Sequence, residues 1–134
     1  MNWKFWAVLA TAVFMTGCGD PIPPTTPTPA VPTITEVFSD TLLVLGTNTH
    51  IFTVDGIGGV KVTLNSVHPS AIVRVGVGYP NLGSCTAIDS RLTTAGQDVL
   101  LSGTAVIRGQ FCVSITDVGN LAEPAAYTIT VLHS

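Results

Sequence analysis

The sequence predicts an all-β protein: one antiparallel β-sandwich or jelly roll of about eight strands, placed after an apolar leader and a proline-rich segment. Three observations predict this class. From about residue 36, apolar residues recur at every second position. Turn-forming Gly, Pro, Asn and Asp interrupt the pattern about every ten residues. Nothing in 36–134 shows the apolar spacing of an amphipathic helix.

The clearest strands are 60–64, 111–116 and 127–131, where Val, Leu, Ile, Phe or Tyr alternates with Thr, Ser, Lys or Cys. A period of two with one apolar face is typical of a half-buried strand in an antiparallel sheet. The polar positions are mostly Thr and Ser, and Thr suits strands because it is β-branched. Weaker patterns predict strands at 36–38 or 41–45, 50–54, 71–77, 84–88, 98–101 and 104–108.

Composition limits the function classes. The 134 residues are 46% hydrophobic and 10% charged, and five Lys and Arg stand against eight Asp and Glu, for a formal net charge of −3. This excludes a disordered charged tail. The scattered basic residues also exclude an electrostatic surface for nucleic acid. The length predicts a single domain of roughly 100 residues after the leader.

The leader indicates secretion. Lys4 precedes an apolar run at 5–15, and a run of about eleven residues is too short for a membrane-spanning helix, which needs about 20. A basic residue before a short apolar run predicts a helical signal peptide over 1–17.

The residues that follow are Met15-Thr16-Gly17-Cys18, and they resemble the lipobox of bacterial lipoprotein precursors. The resemblance implies cleavage before Cys18 and a covalent lipid, palmitate among its acyl chains, that anchors the N-terminus in the bilayer of the cell envelope. Since Gly19, not Asp, follows the cysteine, the outer membrane is favoured where a cell has two membranes. The alternative is an unmodified thiol near an ordinary cleavage site.

Residues 20–33, called the tether below, hold six of the nine prolines. Proline fixes φ and removes a backbone donor, so this segment favours extended polyproline II at about 3.1 Å per residue, or roughly 40 Å in all. We expect 18–35 to be the lipidated cysteine and its linker, and 36–134 to be the folded domain. A proline-rich docking site or a glycosylated stalk are the alternatives.

Cys85 and Cys112 remain once Cys18 is assigned to the lipid. In an oxidising compartment two remaining thiols usually pair, so a disulfide is predicted. Cys112 alternates with Phe111 and Val113, which predicts a bridge on the outer surface of the sandwich. Two free cysteines or a metal pair are the alternatives.

The domain resembles a known bacterial module. The motifs are 49–54 (THIFTV), 109–115 (GQFCVSI), 117–121 (DVGNL) and 127–131 (YTITV). Together they are similar to the pre-peptidase C-terminal domain, a small jelly roll, over residues 37–132. The resemblance implies an accessory binding or solubilising role without catalysis.

Some members of that family bind calcium through acidic loop residues, which makes Asp117, Asn120 and Glu123 candidate ligands. Calcium requires six to eight oxygens. The simpler interpretation is that Asp117 and Asn120 form turns, because their side chains bond to nearby backbone.

No motif for catalysis or for a metal stands out, so we predict that the protein is not an enzyme. His50 is predicted to be a surface strand residue, His68 to lie in a turn, His133 to be mobile and Arg74 to be exposed. The predicted function is a lipid-anchored envelope protein that displays a non-catalytic β-sandwich to an unknown envelope or extracellular ligand. The alternatives are a calcium-dependent adhesion or matrix-binding module and a cryptic hydrolase.

Overall fold

A computed structural model describes residue 19 and residues 21–96 and 101–134. These residues form eight strands and no helix, so the all-β prediction is confirmed for the described part of the chain, while the predicted helical signal peptide lies outside it. In particular, the described residues contain no helix with the length and hydropathy to cross a membrane. The strands are β1 (Ile34–Leu42), β2 (Thr47–Val54), β3 (Gly58–His68), β4 (Val73–Asn81), β5 (Ser84–Thr93), β6 (Leu101–Ala105), β7 (Gly109–Asp117) and β8 (Ala125–His133).

The strands form two four-stranded antiparallel sheets, in the orders β1-β8-β3-β6 and β2-β7-β4-β5. Each strand is followed by one in the opposite sheet, except for the β4–β5 hairpin. This alternation between two sheets is the topology of a jelly roll. It leaves β1 and β2 at one open edge of the sandwich, and β6 and β5 at the other.

The loops divide between two ends of the sandwich, because consecutive strands run in opposite directions. The tether end, where β1 begins, carries loops 55–57, 82–83 and 106–108. The far end carries loops 43–46, 69–72 and 118–124.

The core lies between the sheets, where the predicted alternation is confirmed. In β7 and β8 the apolar residues at every second position are buried. Fully burying one such side chain contributes about 1.5–3 kcal/mol. The largest apolar side chains that are fully buried are Phe52, Leu42, Leu64, Leu101, Ile115 and Ile129.

Two strand predictions need correction. The first strand begins at Ile34 and ends at Leu42, so the alternative at 41–45 is wrong beyond Leu42: Gly46 donates its N–H to the Leu43 carbonyl and closes a turn. The apolar residues of that turn resemble a strand in sequence. Near the other edge, β6 spans Leu101–Ala105, so the strand predicted at 104–108 ends early, while 98–100 of the strand predicted at 98–101 lie outside the described residues. Pairing with β3 ends at Ala105, and the chain then crosses to the other sheet.

The predicted disulfide is confirmed, with Cys85 and Cys112 Cα atoms 5.8 Å apart. The two cysteines lie on β5 and β7, the strands that flank β4. They can meet because β5 approaches β4 so closely that a Cβ at Gly78 would collide with the Thr86 carbonyl. Cys112 lies on the outer face of its sheet, as predicted, opposite the exposed Ile51, but it is covered there and is 0% exposed.

Candidate functional site

An apolar groove opens at the edge of the sandwich formed by β5 and β6. Its volume is about 120 Å³. Its floor is formed by core residues, including Val60, Leu101 and Phe111, while exposed Ile88 and Val106 stand at its mouth. Because edge strands leave the space between the sheets uncovered, the groove reaches from solvent to the core.

The lining suits an apolar group. Asp89 is the one carboxylate among the lining residues, and Ser102 and Thr104 add hydroxyls. Sites of this kind bind by removing apolar surface from water and use a few polar groups for orientation. The volume approaches that of an apolar cavity of about 150 Å³ that accepts benzene, so the groove has room for one medium side chain or a short hydrocarbon segment.

The opposite edge of the sandwich contains a cluster centred on His50. Its Nε2 lies 2.6 Å from the Tyr127 hydroxyl, and its ring stacks on Phe38 at a centroid distance of 4.7 Å. Asn48 Nδ2 donates to the same hydroxyl at 3.0 Å. The hydroxyl thus holds one hydrogen bond from Asn48 and one shared with His50 Nε2, in which the imidazole tautomer sets the donor. The prediction that His50 is a surface residue is wrong: the side chain is half-buried between the two sheets.

Burial keeps both partners of this cluster neutral. Desolvation lowers the pKa of His50, and the charge of Asp40 offsets part of that shift. Desolvation likewise raises the pKa of Tyr127. The hydrogen bond from Asn48 lowers that pKa in part, and the negative charge of Asp40 raises it further. The cluster therefore acts as a neutral hydrogen-bonded link between β2 and β8, which belong to different sheets.

His133 forms a second link, and the prediction that it is mobile is wrong. It is 1% exposed, and its Nε2 lies 2.8 Å from Glu36 Oε1. Its ring packs against Phe52 at 5.1 Å. His68 ends β3 and is exposed, and Arg74 is exposed as predicted. Two of the three histidines thus contact the inward face of β1: His133 through Glu36 and His50 through Phe38.

Asp117 fastens two loops at the far end. Its Oδ1 accepts the N–H groups of Gly119, Asn120 and Leu121 at 2.8–3.1 Å, and its Oδ2 accepts that of Leu45 at 2.8 Å. The hydrogen bond from Leu45 is the largest cause of a lowered pKa, so the buried carboxylate stays ionised.

These contacts bear on the calcium hypothesis. Asn120 Nδ2 donates to the Ile72 carbonyl, and Glu123 is exposed on the same loop. Asp117 offers a metal only the lone pairs left after four N–H bonds, which fits calcium poorly. Within the described residues, no three His, Cys, Asp or Glu side chains group as metal ligands, and every buried side-chain N or O atom has a partner. Calcium binding stays a prediction for titration to decide.

The fold defines the class of this protein as an eight-stranded jelly roll. No family model matches the chain, and no curated protein does. Among solved structures the chain is similar to the mitogen derived from Yersinia pseudotuberculosis, with a TM-score of 0.52 and 12% identity over 75% of this chain and 86% of that one. At that identity the likeness concerns the fold alone. The resemblance to the pre-peptidase C-terminal domain stays a prediction.

Proposed function

We propose that this chain is a lipid-anchored protein of the bacterial cell envelope that holds a non-catalytic β-sandwich at the membrane for binding. The proposal is carried by the order of its parts. A short apolar leader ends at Cys18 in a lipobox-like sequence, and a proline-rich tether joins that cysteine to a folded domain. All of 21–33 is exposed and forms no regular structure.

The placement of the tether supports display of the domain. At about 3.1 Å per residue, the tether reaches at most roughly 40 Å, so it lets the domain lie at the lipid surface or at any distance up to that length. It meets the domain at the tether end, where the Val31 side chain packs against Gly56. None of the described tether residues lines the apolar groove at the β5–β6 edge, so the tether leaves that groove available to a ligand.

The role of the histidines supports the non-catalytic part of the proposal. His50 and His133 are engaged with Tyr127 and Glu36, and these contacts hold β1 against the rest of the sandwich. The groove is lined by neither of them. Binding of an apolar group is the chemistry that such a lining favours.

Metabolic labelling with a palmitate analogue tests the anchor. We expect the wild type to carry the label and to stay with the envelope fraction, and Cys18→Ser to lose both. The double variant Cys85→Ala/Cys112→Ala is the matched control, since it removes the other two cysteines and should keep the label. Label on Cys18→Ser, or its absence from the wild type, contradicts the proposal.

A further inference from the structure

Two neighbouring loops at the tether end carry exposed apolar side chains. Loop 55–57 joins β2 to β3 and loop 106–108 joins β6 to β7, so both cross from one sheet to the other. The exposed apolar side chains are Ile57, Val106 and Ile107, which are 64%, 70% and 54% exposed. We call these three side chains the basal patch.

Pairing of the flanking strands holds the two loops side by side. On one sheet Val54 lies opposite Gly109, and on the other Gly58 lies opposite Ala105. Each loop is therefore fixed at both ends against the corresponding end of its neighbour. The basal patch thus lies on two loops whose ends are held next to each other by paired strands.

The tether reaches the domain at this same surface. Val31 lies against Gly56, so closely that a Cβ at Gly56 would collide with it. Gly56 precedes Ile57 in the chain, and β1 starts at Ile34. The end of the domain that bears the basal patch is the end that the tether leads to from Cys18.

The backbone of loop 55–57 has hydrogen-bond partners within the protein, while the carboxylate of Asp55 is exposed at its start. Asp55 donates its N–H to the Ser134 carbonyl at 2.9 Å, and Ser134 Oγ donates to the Gly56 carbonyl at 2.7 Å. Backbone groups that approach hydrocarbon need such internal partners, because lipid supplies none. Arg108 is exposed beside Ile107, and a long cationic side chain can reach phosphate while apolar neighbours go deeper.

We propose that the basal patch seats in the interfacial layer of the same bilayer that holds the tether, with its apolar side chains below the headgroups and Arg108 at their phosphates. This inference rests on the proposed lipid anchor at Cys18. Once the chain is anchored, contact between patch and bilayer becomes intramolecular, so three apolar side chains suffice where a free protein would need more. The groove and the far end then face away from the membrane.

Tryptophan fluorescence tests this orientation, because both native tryptophans, Trp3 and Trp6, lie in the leader. The reporter variant is Ile107→Trp, and the matched control is Leu43→Trp at the far end, where Leu43 is 60% exposed. Each is expressed as the full precursor, purified from membranes and reconstituted in phosphatidylethanolamine and phosphatidylglycerol vesicles with brominated acyl chains. The parent chain supplies the background, thermal melting verifies folding, and mass spectrometry of the N-terminal peptide reports acylation of Cys18.

We expect the tryptophan at 107 to be blue-shifted and quenched by the brominated lipid, and the one at 43 to be unaffected. Acylated protein that stays on the vesicles with neither reporter quenched, or with position 43 quenched more, overturns the seating and leaves the anchor intact. Unacylated protein that is still quenched at 107 supports the patch and refutes the anchor. Unacylated protein without quenching overturns both.

Discussion

Replacing Tyr127 by Phe removes one oxygen from the link between the two sheets. That hydroxyl accepts a hydrogen bond from Asn48 Nδ2 and shares a second one with His50 Nε2. Asn48 keeps its second contact, to the Thr41 carbonyl, but the half-buried His50 nitrogen loses its hydrogen-bond partner. A net hydrogen bond contributes about 1 kcal/mol, and a buried polar atom left without a partner costs about 1–3 kcal/mol. Stability should therefore fall by about 2 kcal/mol, roughly a 30-fold change in the folding equilibrium.

Urea denaturation followed by far-UV circular dichroism at pH 7.5 measures this loss. A melting curve should fall by about 10 °C, since each kcal/mol shifts a domain of this size by about 4–8 °C. The control is Tyr79→Phe, the same chemical change at a partly exposed residue that contacts Phe111 through its ring. The reasoning is refuted if the two variants lose equal stability.

Three further predictions follow from other contacts. Cys85→Ala/Cys112→Ala should lower the free energy of unfolding by about 3–4 kcal/mol, because the unfolded chain is no longer restricted by a closed loop of 27 residues. An unchanged urea midpoint would contradict this prediction. Because the folded-state pKa of His50 lies below its unfolded value near 6.5, the unfolded chain takes up the proton first, so stability should fall as pH drops below about 6.5. The wild type should lose more stability than His50→Gln between pH 7 and 5, and parallel pH profiles would argue against this role. Asp117→Asn should lower the melting temperature equally with calcium and with chelator, and a loss confined to calcium buffer would instead indicate a metal site.

Sequence patterns predicted the fold well where one face of a strand is buried. The alternation in 111–116 and 127–131 corresponds to β7 and β8, which lie at the centre of the two sheets. Prediction failed at the turn 43–46, because apolar residues usually signal burial and Leu43 and Leu45 are exposed there. The pairing of Cys85 with Cys112 was predicted from an oxidising compartment and from the number of cysteines that remain, without any knowledge of the distance between them.

The inward orientation of His50 and His133 could have been predicted from the same alternation. Tyr127, Ile129 and Val131 point inward, and one further step of two reaches His133. In the same way His50 is two residues before the buried Phe52. The partners of these histidines were beyond prediction, because Glu36 is 97 residues from His133 along the chain and Tyr127 is 77 residues from His50.

The sequence alone determined the class of fold, the tether and the cysteines available to pair. Each of these depends on local chemistry: the period of burial, the backbone restriction of proline and the reactivity of thiols. The tertiary structure decided which loops share an end of the sandwich and that β5 approaches β4 at Gly78. It also decided that the carboxylate oxygens of Asp117 accept hydrogen bonds from backbone N–H groups. Those facts depend on the order of the strands in each sheet, which brings together residues that are far apart in the chain. The pattern of residues along a single strand carries no information about that order.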